Sequence, residues 1–133
     1  SEHFARDYMG YKSLSSEAEI KLALIELNKI CRGEAFITLG EKGCAFLKSG
    51  MLQIVPSWLC NAVDTTGAGD VFHGAFTYGV HYSWHIDNII LFASLTAAIS
   101  IEKKGVRESM PDLAVVHHSL KSYERNLTQY FEE

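Results

Sequence analysis

No apolar run in this sequence is long enough to cross a bilayer, and no basic, apolar leader with a cleavage site opens it. The expectation is therefore a soluble cytoplasmic protein, with no membrane partner. Positive charge is also scarce. Twelve Lys and Arg stand against sixteen Asp and Glu, for a net charge of −4. A nucleic-acid surface needs clustered Lys and Arg. The basic clusters here are short, such as Lys103-Lys104 with Arg107, and read as a solvated helix end, so no nucleic-acid partner is expected. The three cysteines, Cys31, Cys44 and Cys60, are odd in number and widely spaced, with no C-x-x-C pair. That excludes a disulfide framework using all of them and matches no zinc pattern. Small buried residues in a reducing compartment are the expectation. His81 and His85 stand four apart, but the segment between them reads as a helix end with no third ligand nearby. The chain also begins at Ser1 without a methionine, directly in helix-like sequence, which reads as part of a longer protein.

What is present is enough for one core: 133 residues, 47% hydrophobic and 21% charged. Residues 2–9 read as a short helix closed by Gly10. Ser16 and Glu19 have capping-box spacing. Behind them Ile20, Ala23, Leu24, Leu27 and Ile30 share one helical face, so residues 16–31 are an amphipathic helix ended by Gly33. Residues 35–39 form a short, partly β-branched apolar run, as expected of a strand covered on both faces. A turn over residues 40–43 leads into a β-hairpin, 44–47 and 51–55, reversed at Lys48-Ser49-Gly50 and stopped by Pro56. A glycine loop then feeds a helix through Val71, Phe72, Ala75, Phe76 and Val80. A small-residue-rich helix follows over 87–103 and ends at Gly105; Pro111 falls in the first turn of a last helix reaching about residue 123. There are no repeats, low-complexity tracts or linkers, and the reading is one α/β domain.

The loop carries the chemistry. Glycines at 67 and 69, placed where a helix begins, let backbone N–H groups converge, and the helix dipole adds positive potential, so an anion such as phosphate binds well. Asp70 stands at the same helix start. It reads either as an ordinary N-terminal carboxylate or as a base beside a bound phosphate, taking a proton from an attacking hydroxyl. Spacing alone does not choose between them.

The stretch Asp64-Thr65-Thr66-Gly67-Ala68-Gly69-Asp70-Val71-Phe72-His73-Gly74-Ala75 resembles the second signature of the PfkB (ribokinase-type) carbohydrate kinases, with His73 where Asn is usual. Thr38-Leu39-Gly40-Glu41-Lys42-Gly43 is similar to the family's strand-end nucleotide loop, and Lys104-Gly105 with Ser109 and Pro111 to its closing segment. The resemblance implies an ATP-dependent kinase acting on a sugar hydroxyl, of a ketohexose or pentose, with a nucleoside as a further substrate class. Asp70 is then the general base, and Gly67, Ala68 and Gly69 are the anion hole for the transferring phosphoryl. Residues 38–43, including Thr38, Gly40 and Gly43, line the ribose and phosphates of ATP together with Gly69, and Ser94 lies near the adenine. A monovalent cation, usually potassium, falls to Asp64 and the Thr66 carbonyl, the carbonyls of Ser100, Lys103 and Gly105, and the Ser109 hydroxyl. The bland reading of Asp64 is a turn residue bonding its own loop.

The resemblance departs at the start. Many members carry an Asn-x-x-Glu motif whose Glu organises magnesium through water; aligned by Gly10, Ser1 and Phe4 occupy those places. Relatives of the ketohexokinase kind also lack the acid, so Mg2+ is expected with ATP but without an assigned protein ligand. The implied fold is a doubly wound, three-layer α/β/α sandwich. This chain, residues 1–133, supplies its C-terminal nucleotide-binding and catalytic part. The N-terminal sugar-binding portion and its lid are absent, and the lid leaves room for a homodimer. The rival from another class is a non-catalytic nucleotide-binding or interaction domain that kept the loop.

Overall fold

A computed structural model describes residues 1–131, and the side chains of residues 1–122. Two compact units divide the chain, Ser1–Ser57 and the remainder from Trp58 onward.

The first unit opens with α1 (Glu2–Met9), closed by Gly10, whose N–H donates back to the carbonyls of Arg6 and Asp7. Helix α2 (Glu17–Ile30) starts at the expected capping box. The Ser16 hydroxyl accepts from the Glu19 N–H at 3.2 Å, and the Glu19 carboxylate accepts from the Ser16 N–H at 3.0 Å. The backbone amides of Ser16, then Ser15, hold the Glu19 carboxyl below its ordinary value. The far end differs from expectation. Cys31 caps α2 in an extended conformation, so the helix stops before Gly33, and Ile30 is 60% exposed rather than on the buried face.

Strands β1 (Phe36–Thr38), β2 (Cys44–Lys48) and β3 (Met51–Val55) form an antiparallel sheet in the order β1-β2-β3. The hairpin turns at Ser49 and Gly50, both with positive φ, as a two-residue loop of this twist requires. The strand buried on both faces is β2, where consecutive Cys44, Ala45 and Phe46 are buried; β1 buries only alternate positions, Ile37 between half-buried Phe36 and Thr38. The apolar run at 35–39 signalled burial correctly but not which strand takes the centre. Leu24, Leu27, Ile37 and Ala45 meet in one core with Ala5 and Leu14. Each large aliphatic side chain sequestered there contributes about 1.5–3 kcal/mol relative to exposure. Burial also pushes the Cys44 thiol up to about 12, leaving it an inert apolar residue.

The second unit is helical: α3 (Ala68–His81), α4 (Ile86–Ser100) and α5 (Leu113–Phe131). Helix α4 packs against both α3 and α5. An aromatic chain crosses all three, with Tyr78 stacked on Phe92 at 5.9 Å and Phe92 edge-on to His117 at 6.2 Å. Gly79, not Val80, completes the buried face of α3 with Val71, Phe72 and Ala75, and Val80 is exposed. The last helix begins two residues after Pro111, where the Asp112 carbonyl accepts from Val115 and Val116. It runs past residue 123 because no Gly or Pro interrupts it. His81 ends α3 and His85 caps α4. Among the described residues no helix is long and apolar enough to cross a membrane.

Candidate functional site

The glycine loop belongs to the second unit. Val63 and Asp64 both donate their N–H to the carbonyl of Ile101, at 2.7 and 3.1 Å, so the loop is laid against the end of α4. The Asp64 carboxylate then joins two segments 41 residues apart. Its Oδ1 accepts from the Thr66 N–H at 3.1 Å and its Oδ2 from the Gly105 N–H at 3.2 Å. The Thr66 hydroxyl and amide, and then the Gly105 amide, hold this carboxyl below its ordinary value, since each favours the charged form. Beyond it the Ser109 hydroxyl donates to the carbonyl of Gly105 and, at 3.3 Å, to that of Val106. Gly105 is thus held at its N–H by Asp64 and at its C=O by Ser109.

Of the six residues expected around a cation, Asp64, Thr66, Gly105 and Ser109 form one hydrogen-bonded network. Ser100 is buried at the end of α4, its hydroxyl donating to the Ala97 carbonyl at 2.7 Å, and Lys103 is exposed in the following turns. Asp64 does bond its own loop, as the bland reading held, but it also ties a distant segment.

Gly67 starts α3 with φ +75°, a left-handed value open to glycine at no steric cost. A Cβ there would stand 2.6 Å from Val106 Cγ1. The Ala68 N–H donates to the Thr65 carbonyl at 3.2 Å, and the Val71 N–H to that of Gly67 at 2.9 Å. A helix start leaves its first amides without intrahelical acceptors, here those of Gly69 and Asp70. Asp70 is in the first turn, exposed to solvent. Two unbonded amides and a carboxylate at one helix start suit an anion beside a proton acceptor. His73, one turn on, is exposed.

The other candidate loop belongs to the first unit. Residues Gly40–Lys42 form a single 3-10 turn. The Leu39 N–H donates to the Gly43 carbonyl at 2.7 Å, the Gly43 N–H to that of Gly40 at 3.0 Å, and the Ser57 hydroxyl to that of Glu41. Gly43 has φ +102°. Thr38 is the last residue of β1, while Ser94 lies in the middle of α4, only 6% exposed. Phe4 is 58% exposed and stacks on Tyr8 at 6.1 Å. Among the described residues no three or more His, Cys, Asp and Glu side chains gather as metal ligands. The resemblance grouped Asp64 with Gly105, but the direct bond between them and the seat of Val106 on Gly67 were not visible to sequence reasoning, because neither contact is local.

Comparison with known proteins agrees with the loop motifs. Residues 2–113 match the family described as pfkB family carbohydrate kinase. A ribokinase of Lactococcus lactis subsp. lactis (strain IL1403) is 40% identical over 106 residues, 80% of this chain and 35% of its own length. Probable fructokinase-5 of Arabidopsis thaliana is 30% identical over 138 residues, 85% of this chain and 43% of its own. The structure of Arabidopsis thaliana ribokinase complexed with ribose and ATP superposes with a TM-score of 0.82 at 28% identity, over 90% of this chain and 39% of that one. A Vibrio cholerae O395 fructokinase, bound to fructose, ADP and potassium ion, shares the fold at 24% identity and a TM-score of 0.74, over 88% of this chain and 38% of that one. The chain therefore spans less than half the length of these relatives, as a portion of a ribokinase-like α/β fold.

Proposed function

The chain belongs to the pfkB family of carbohydrate kinases, and on that premise we propose that it is the catalytic part of an enzyme transferring the γ-phosphoryl of ATP to a sugar hydroxyl. One observation carries the reading: Asp70 presents an exposed carboxylate in the first turn of α3, directly after Gly67, Ala68 and Gly69. Asp70 takes the proton of the sugar hydroxyl as the new O–P bond forms, the bond from the γ-phosphorus to the bridging oxygen breaks, and ADP leaves. The helix start supplies N–H groups and dipole to the charge on the transferring phosphoryl. Such transfer depends on positioning and electrostatics more than on covalent chemistry. Thr38, Gly40 and Gly43 are assigned to the ribose and phosphates of ATP, and Ser94 to the adenine. Ribose, as in the ribokinase relatives, and ketohexoses, as in the fructokinases, are the substrate classes to try.

The oxygens of Asp64, Ser109 and the carbonyls of Thr66, Ser100, Lys103 and Gly105 suit a hard cation of low charge. Each Asp64 oxygen accepts one amide and retains lone-pair capacity, so the residues fit potassium. Bound there, the ion would add positive charge and order to the glycine loop. Magnesium is assigned to the ATP phosphates, its usual partners in such sites, without a protein ligand.

The test is ADP formation by the full-length protein containing this sequence, with ATP and a panel of pentoses and ketohexoses. Sugar-dependent ADP release is expected. ATP binding with no sugar turned over would favour the non-catalytic nucleotide-binding alternative.

A further inference from the structure

The restraints on the glycine loop described so far are polar, with one exception. Val106 presses its isopropyl group against Gly67, so closely that a Cβ at 67 would lie 2.6 Å from Cγ1, 3.2 Å from Cγ2 and 3.5 Å from the Val106 Cβ. Val106 follows directly on Gly105, whose N–H is bonded to Asp64. Two adjacent residues therefore hold the loop at two places, Gly105 through a charged hydrogen bond at the loop's start and Val106 through apolar contact where α3 begins.

We propose that Val106 is a positioning residue for the phosphoryl-binding loop, its branched side chain setting where Gly67 can sit and hence where the first amides of α3 point. The inference rests on the kinase reading for its catalytic meaning and on geometry alone for the positioning. Glycine is the residue with the widest backbone freedom, so a loop turning on Gly67 has no stiffness of its own at that point. A β-branched neighbour has few χ1 states and makes a well-defined wedge. Its γ-carbons occupy the space that a side chain at 67 would otherwise need. Removing them leaves Gly67 free to shift, while the Asp64 bonds to Thr66 and Gly105 stay in place. Displacements of about 1 Å at a phosphoryl site can cost on the order of a hundredfold in rate.

The experiment uses the full-length protein with Val106→Ala, which deletes both γ-carbons, and Val106→Ile, which keeps them. Amide hydrogen exchange at Ala68 and Val71, whose N–H groups are bonded across the loop and helix start, is the first readout. Acceleration of about tenfold is expected for Val106→Ala, with β2 and β3 unchanged, since local openings are read residue by residue. The second readout is kcat, expected to fall on the order of tenfold at nearly constant KM for ATP, as for an interaction felt at the transition state. Val106→Ile should restore both. Where Val106→Ala proves too unstable to purify, Val106→Cys, which keeps a single γ-atom and loses the branch, gives the same exchange readout at smaller amplitude. Exchange at Ala68 and Val71 within twofold of the unmutated protein, or raised equally in the strands, would overturn the proposal. An unmutated protein that phosphorylates no sugar would overturn the kinase reading instead, because the exchange data decide the positioning role without turnover.

Discussion

Gly43 faces the carbonyl oxygen of Val55 with no space between them for a side chain: a Cβ on residue 43 would stand 1.9 Å from that oxygen and 2.8 Å from Pro56 Cα. The neighbours are backbone and cannot rotate away. Residue 43 also holds φ +102°, outside the range of L side chains. Gly43→Ala is therefore expected to destabilise the first unit by more than about 2 kcal/mol, combining backbone strain with a forced shift of β3. Chemical denaturation of the full chain measures it, and a loss under about 0.5 kcal/mol, the usual size for a surface change, would contradict the geometry.

Asp70→Asn keeps the size and removes the basic oxygen. Phosphotransfer is expected to fall about a hundred- to ten-thousand-fold, the usual cost of losing a positioned base, while ATP affinity changes little. Steady-state turnover beside a nucleotide titration separates the two. Turnover near the unmutated level would leave Asp70 as a helix-start carboxylate only.

Potassium should raise the rate of the full-length enzyme more than sodium or caesium does, and Asp64→Ala should flatten the difference. A rate equal in all three cations before mutation would remove potassium from the site.

Acid should release the loop in a single step. The Asp64 carboxyl is lowered from its ordinary 3.8 by the groups that bond its charged form. A depressed folded value means that the stabilisation is complete above the unfolded value and is lost as pH falls through the folded one. The Thr66 and Gly105 amide resonances are expected to titrate together with a midpoint below 3.8, and Asp64→Asn should abolish the transition. Separate midpoints for the two amides would show that they do not share this carboxylate.

Ser16→Ala removes the acceptor for the Glu19 N–H. A loss of about 1 kcal/mol is expected, as for other N-caps, read as a lowered thermal midpoint. Ser16→Asp should recover most of it.

These residues also show what the sequence could reveal. The Ser16–Glu19 box, the Gly10 helix end, the Ser49-Gly50 reversal and the glycine start at 67 were all readable, because each is settled within about four residues by side chains and dihedral freedom. Ile30 and Gly33 misled at the far end of α2, where Cys31 leaves the helix in an extended conformation without a left-handed cap. The run at 35–39 gave burial without rank in the sheet, since strand order depends on partners that a single strand does not encode. In the candidate site, the loop's identity was legible from its motif. Its fastening was legible only in part: the resemblance put Asp64 and Gly105 at one site, but the direct bond between them and the seat of Val106 on Gly67 join stretches separated by the whole of α3 and α4.

That separation has a consequence for how the protein is made. Asp64 leaves the ribosome 41 residues ahead of Gly105, a lag of roughly two to eight seconds at ordinary elongation speeds. Throughout that interval the nascent loop has its local bond to Thr66 but neither the Gly105 amide nor the Val106 wedge, so the glycine turn stays unset until all of α4 and the turn that follows it have been translated.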